Sequence, residues 1–428
     1  DVQDFIEADE RHARTEVPPY SVEDYLGDLD RVTEGKNDKE LSRVVAEESQ
    51  KTMRWLHSLG MKYRLMYERQ AYERPDGGYL FWGGLHVGNV GGGEGMIAEY
   101  NRVAQEQGLE LRYDSGVADF IVEDGRVVGV VVVNAAAERQ ELRAESVIMA
   151  SGGFESNPDM RQKYLGEGWQ NAKVRGTPYN TGELLEKALA LGAARGGDWS
   201  TAHSVQWDAF LPENESNREL TNRLTRQSYP LGIIVNNQGK RFLDEGEDFR
   251  NLTYAKFGGE ILRQPDSICY QVFDQKLRPM LRTEEYDMPG ISVESADSIE
   301  ELAEKIGVDV QSLSKTVSDY NNSIDRSIVW DPTIKDHSKA DVVPPKSNWA
   351  TPLETGPYYA YGVTCGITFT FGGVKGDTFG RVLREDGSHI EGLYAVGEAL
   401  GGLFSKNYPG GTGLVAGFVV GRRAGSIA

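Results

Sequence analysis

The stretch V-I-M-A-S-G-G-F, Val147 to Phe154, decides the fold class: it reads as a buried-looking apolar strand that runs into small residues. Beyond Ala150 and Ser151, the missing Cβ atoms of Gly152 and Gly153 let a ligand approach the backbone where the strand ends. The pattern returns as G-L-Y-A-V-G-E, Gly392 to Glu398, a strand ending at Gly397 with an acid that can accept hydrogen bonds from sugar hydroxyls. A third cluster, N-Y-P-G-G-T-G-L-V-A-G from Asn407 to Gly417, opens a small-residue helix running to about Ala424. Free N–H groups at Gly411, Thr412, Gly413 and Leu414, with the positive end of the helix dipole, favour an anion or an electron-rich carbonyl. An ordinary strand-to-turn junction at Ser151 and a solvated loop acid at Glu398 are the plainer readings of the first two clusters.

Two segments match G-x-G-x-x-A. Gly411 to Ala416 has only 12 residues after it, too few for a second strand and a ribose-binding acid. Gly93 to Ala98 has no clean strand before it, so it reads as a glycine-rich approach to a helix from about Met96 to Gln107.

Working outward, Ser21 and Asp24 form a capping-box pattern ahead of Tyr25, Leu26 and Leu29. Leu41, Val44, Val45, Met53 and Leu56 ride a second helix that Gly60 can close. A β-ribbon is expected over 109–113, 118–122, 127–133 and 145–150, with the Asp124-Gly125 turn as its hairpin signal. From Asp198 to about Ala350 glycine thins out and a charged helix spans Ser298 to Ile306, with Pro344, Pro345 and Pro352 at its far end. The expected organisation is an α/β nucleotide-binding domain over 1–197 and 353–428, interrupted by an inserted α+β capping domain over 198–352.

Composition limits the function. With 66 acidic and 46 basic residues the chain carries a net charge of −20, which opposes binding to nucleic acid or anionic lipid. No apolar run approaches the roughly 18 residues of a membrane span, and no leader pattern is present, so a cytoplasmic protein is expected. Cys269 and Cys365 are the only cysteines and show no C-x-x-C spacing, so no metal, cluster or disulfide framework is expected. Glycine is in excess, 50 of 428 residues, against an average near 7%.

Together, A-S-G-G-F, G-L-Y-A-V-G-E and the terminal glycine helix, flanking an insert, resemble the flavoprotein subunits of the fumarate reductase and succinate dehydrogenase superfamily. Six further motifs, F-W-G-G-L at Phe81, G-I-I-V-N-N-Q-G-K-R-F at Gly232, D-E-G-E-D-F-R-N-L at Asp244, P-P-K-S-N-W-A at Pro344, T-C-G-I-T-F-T-F-G-G at Thr364 and N-Y-P-G-G-T-G-L at Asn407, are similar to the tricarballylate dehydrogenases. The resemblance runs from about residue 20 to the end. It implies an FAD-dependent dehydrogenase or reductase acting on a CH–CH bond of a small carboxylate, tricarballylate to cis-aconitate being the sharpest case, with a quinone or a membrane redox protein as separate electron acceptor. The FAD-binding residues it implies are Ala150 to Gly153, Gly397, Glu398 and Gly411 to Leu414. Family members begin with a strand, G-x-G-x-x-G and helix that seat the FAD diphosphate, and this sequence starts after that stretch. A fragment or interaction subunit that does not hold FAD is therefore an alternative expectation.

By the same resemblance the proton-transfer arginine falls on Arg250, with Asp244, Glu245, Glu247 and Asp248 as nearby carboxylates to relay the proton, and His203 takes the substrate-binding position. A solvated charged loop and a satisfied structural histidine are the plainer readings. Where fumarate reductases carry a His before M-G-G this chain has Phe369, and where they carry a carboxylate-clamping Arg it has Tyr408. Tyr408-Pro409-Gly410 is similar to the Y-P-G of 3-ketosteroid dehydrogenases, whose tyrosine assists enolisation, so a ketone substrate is a further expectation. Thr368, Thr370 and Cys365 either line the same pocket or belong to a small β core.

Overall fold

The computed structural model describes residues 4–81 and 86–428. Trp82, Gly83, Gly84 and Leu85 of the F-W-G-G-L motif lie outside the described residues. The chain forms two compact units, the first made of Asp1–Gly153, Gly182–Trp199 and Phe371–Ala428, the second of Phe154–Thr181 and Ser200–Thr370. An inserted domain is thus present, with different limits from those expected. Residues 154–181 leave the first unit because Lys173 and Val174 pair parallel with Gly366 and Ile367 of the second. The return comes at Phe371 rather than 353 because the strand Tyr358–Thr370 is the spine of the second unit's sheet.

In the first unit, Ser21 caps the helix Val22–Val32, with both halves of the capping box formed to Asp24. Asp38 caps the helix Lys39–Ser58, which buries Leu41, Val45 and Leu56. The glycine-rich approach extends into its helix, which runs Gly92–Glu106. An antiparallel ribbon, Ser115–Glu123, Arg126–Asn134 and Arg139–Arg143, folds about the Asp124-Gly125 turn. The strand expected over 109–113 does not form: Leu109, Leu111 and Tyr113 are exposed, so the alternation finds no sheet face to bury. The strand Val147–Met149 lies parallel to His389–Ala395 at one edge of a three-stranded sheet. It is less buried than its sequence suggests, with Ile148 39% exposed, because this sheet pairs it on one side only.

In the second unit, the first half of Tyr358–Thr370 pairs with Cys269–Phe273 and Val293–Ala296, and the second half with Ala202–Asp208 and Lys173–Val174. The charged helix is observed at Ile299–Ile306, capped by Ser298 and closed by Gly307. Its Ile299, Leu302, Ala303 and Ile306, a period of three and four, enter a core with Val272, Phe273, Leu313 and Tyr320. Every residue of Ala202–Asp208 is buried, which fixes His203 inside this unit.

Candidate active site

Three glycine clusters converge within the first unit. Ala395 lies beside Met149 in register, and the Val396 N–H donates to the Met149 carbonyl at 3.0 Å. The loops Ala150–Gly153 and Val396–Glu398 therefore leave the sheet together at the carboxyl ends of parallel strands, where α/β folds hold their ligands. Gly411, at φ +89°, caps the helix Thr412–Gly425, and the Cβ of a residue at 417 would come 3.4 Å from the Gly397 Cα. Gly397 has φ +62°, and a Cβ added there would meet nothing within 4 Å. Open space along a glycine backbone beside a 14-residue helix N-terminus fits the flavin and phosphate groups of FAD. Thr412 itself is buried, its hydroxyl donating to the Pro409 carbonyl at 2.9 Å, while Gly413 is half-buried and Leu414 exposed.

Tyr408 is in this first unit, 7% exposed, with its ring edge-on to Phe404 at 5.1 Å. The Tyr25 hydroxyl donates to Thr412 Oγ1 at 3.3 Å, and burial, with Tyr408 adding to it, holds the Tyr25 phenol well above its usual range.

The second unit brings His203, Phe369, Thr368 and Arg250 into one neighbourhood. His203 pairs with Phe369 across antiparallel strands just before a register shift at Ser204, and the rings stack with centroids 5.0 Å apart. Such shifts bend a strand and redirect its side chains. Tyr254 stands edge-on to the imidazole at 5.1 Å. Burial, reinforced by the positive charge of Arg175, holds the His203 pKa well below the usual histidine range, so the ring is neutral at pH 7. Thr368 Oγ1 accepts from Arg175 Nη1 at 3.2 Å, and the hydroxyl oxygen of Thr370 accepts from the Phe154 N–H at 3.4 Å. Cys365 is fully buried on the same strand and its thiol is pushed up to about 12 by burial.

Arg250 opens a short turn whose carbonyl accepts from the Tyr254 N–H at 3.0 Å, tying it to the residue that packs on His203. Burial and the neighbouring Arg282 push its pKa down to about 10, partly offset by Glu285. Glu285 is fully buried, accepts from the Gln227 N–H at 2.7 Å and pairs with Arg282 Nη1 at 3.1 Å. Of the acids close in sequence to Arg250, Asp244 accepts from Ser347, Glu245 pairs with Arg241 at 2.5 Å, Glu247 with Lys256 at 2.5 Å and Asp248 with Lys335 at 2.7 Å. The carboxylate whose charge acts most on Arg250 is Glu285, 35 residues on. Sequence reasoning also passed over Arg282, Tyr254 and Arg175. Only Arg175 carried a signal, as a lone cation in the glycine- and proline-rich segment V-R-G-T-P-Y-N-T-G.

Residues 12–415 match the family model for the FAD binding domain. The chain is 30% identical over 399 residues to the NADH:acrylate oxidoreductase of Vibrio harveyi, covering 91% of this chain and 37% of that protein. It is 30% identical over 357 residues to the 3-oxosteroid 1-dehydrogenase of Mycolicibacterium smegmatis, covering 78% of this chain and 62% of that protein. Among solved structures, the open conformation of a flavocytochrome c3 fumarate reductase superposes with a TM-score of 0.68 at 28% identity, over 95% of this chain and 66% of that one. The chain thus spans less than two thirds of the length of these relatives. With a strand-and-glycine cradle in one unit and an inserted unit between its segments, the chain belongs to the FAD-binding domain family, in the fumarate reductase and 3-ketosteroid dehydrogenase superfamily of flavoproteins.

Proposed function

We propose that this chain is the flavin- and substrate-holding part of an oxidoreductase acting on a CH–CH bond next to a carboxylate, with tricarballylate to cis-aconitate as its sharpest case. The observation that carries the reading is Arg250, buried beside Arg282 so that its pKa falls to about 10, with Glu285 opposing the shift. A free arginine is a poor acid or base because its pKa lies above about 12. Lowered by burial and by Arg282, the Arg250 guanidinium can give or take a proton at the substrate carbon, and Glu285 with Arg282 supplies the next exchange site. Neutral His203, held between Phe369 and Tyr254, orients a substrate oxygen by hydrogen bonding without adding charge. FAD, when bound, supplies the two-electron acceptor or donor for the C–H bond, and Ala150–Gly153, Gly397, Glu398 and Gly411–Leu414 are the residues to hold it. Cys269 and Cys365 are buried and free, and the resemblance to the tricarballylate dehydrogenases supports a quinone or a membrane redox protein as the electron acceptor. Among the described residues no helix is long and apolar enough to cross a membrane.

Tyr408 favours a second reading. It is buried beside Phe404 where a carboxylate-clamping arginine is expected, and a ketone substrate enolised by a tyrosine fits that exchange. The two readings part on reoxidation of the dithionite-reduced protein under anaerobic conditions. Recovery of the visible flavin band with cis-aconitate or fumarate, and not with a steroid dienone, supports the carboxylate reading; the reverse pattern supports the ketone. A colourless protein that stays colourless with added FAD supports the non-catalytic subunit.

A further inference from the structure

An acidic protein that binds a carboxylate must build a local positive site, and neutral His203 does not supply that charge. Arg175 does. It follows the short strand Lys173–Val174, its N–H donates to the Ile367 carbonyl at 2.8 Å, and its side chain is half-buried. Its Nη1 donates to Thr368 Oγ1 at 3.2 Å and its Nη2 to Asn222 Oδ1 at 2.8 Å. Both partners are neutral, and among the described residues no carboxylate pairs with Arg175. Its Nε–H is shielded from solvent and meets no acceptor among the described residues. A buried donor without an acceptor costs free energy that an incoming oxyanion recovers. Asn222 is exposed and Arg175 is only half-buried, so the pair lies at the surface of the unit. In a chain with net charge −20, a cation held in place by two neutral groups is a binding arrangement rather than an ion-pair staple.

We infer that Arg175, held by Thr368 and Asn222, anchors a carboxylate of the substrate beside His203, and so sets the preference for an anionic substrate. This rests on the carboxylate reading proposed above. The anchor is a specificity determinant and takes no part in proton transfer.

The test is calorimetric binding of tricarballylate, succinate and fumarate to the FAD-loaded protein, which needs no turnover. Arg175→Gln is expected to weaken binding by about 10- to 100-fold, the loss of one charge-assisted hydrogen-bond pair, with Arg175→Lys between it and the parent. Asn222→Asp places a carboxylate against Arg175 with almost no change of shape, and is expected to weaken binding to a similar extent. This second variant keeps the test valid if Arg175→Gln does not fold. Equal affinity in parent, Arg175→Gln and Asn222→Asp, or no binding of any of the three acids to the parent, overturns the inference. Binding that depends on Arg175 without flavin reduction leaves the anchor standing and removes the proposed reaction. Turnover with unchanged KM in Arg175→Gln does the opposite.

Discussion

His203 and Phe369 face each other across two antiparallel strands, and their rings stack 5.0 Å apart with 21° between the planes. The stack is part of what keeps water from the imidazole, so His203 stays neutral at pH values where an exposed histidine is half protonated. Phe369→Ala should admit water and raise the His203 pKa toward the free value of about 6.5. The check is an imidazole NMR titration, which should show a new transition between about pH 5 and 8. The sign for stability follows by linkage: the unfolded chain takes up a proton below about pH 6.5 that folded His203 refuses, so acidification through that range destabilises the fold. Phe369→Ala should make the melting temperature less sensitive to pH over that interval, whatever it costs at pH 7.

Arg250 gives a prediction at the other end of the pH scale. In the direction where it delivers a proton, kcat should fall as pH rises through about 10. Glu285 raises and Arg282 lowers the Arg250 pKa, so Glu285→Gln should move that limb to lower pH and Arg282→Gln to higher pH. Arg250→Ala should reduce kcat by about 10²- to 10⁴-fold, the usual contribution of a positioned acid or base. Rates measured across the alkaline range check all three.

Much of the fold and part of the site could be read from sequence. Val147 to Phe154 and Gly392 to Glu398 pointed to parallel strands ending in glycine, and these strands pair in register. The Ser21 capping box and the Asp124-Gly125 hairpin are local devices, decided within a few residues, and both are present. The alternation over 109–113 misled because a strand needs a partner and a face to bury, which no short stretch encodes. The unit limits misled because residues 154–181 join a sheet through a pairing about 190 residues away. Glu285 was invisible for the same reason: R-T-E-E-Y carries no spacing signature, and only the fold sets it against Arg250.

Arg226 and Asp208 form a fully buried pair at 2.5 Å, and Asp208 also accepts from the Ser292 and Leu211 N–H groups at 2.9 Å each. Removing the cation leaves a carboxylate with no route to water. Arg226→Ala should therefore cost about 3–5 kcal/mol, and Asp208→Asn with Arg226→Met should recover much of it. Chemical denaturation of the single and double variants measures the difference.

Gly397 separates cofactor binding from folding. Its φ of +62° strains any L side chain by about 1–2 kcal/mol, yet among the described residues nothing occupies the space that a Cβ would take. Gly397→Val should therefore lower the melting temperature of the apoprotein modestly and reduce FAD content more strongly, read as the ratio of flavin to protein absorbance. Equal losses of FAD and stability would place Gly397 in the folding core instead of the cradle.

The central claim, that FAD held by the glycine cradle oxidises a carboxylic acid at a CH–CH bond, is tested most directly by adding tricarballylate to the oxidised, FAD-loaded protein without oxygen. The visible flavin band should bleach, and Arg250→Ala should abolish the bleaching on the same timescale while keeping its FAD. A flavin that stays oxidised with tricarballylate and succinate but bleaches with a 3-ketosteroid contradicts it.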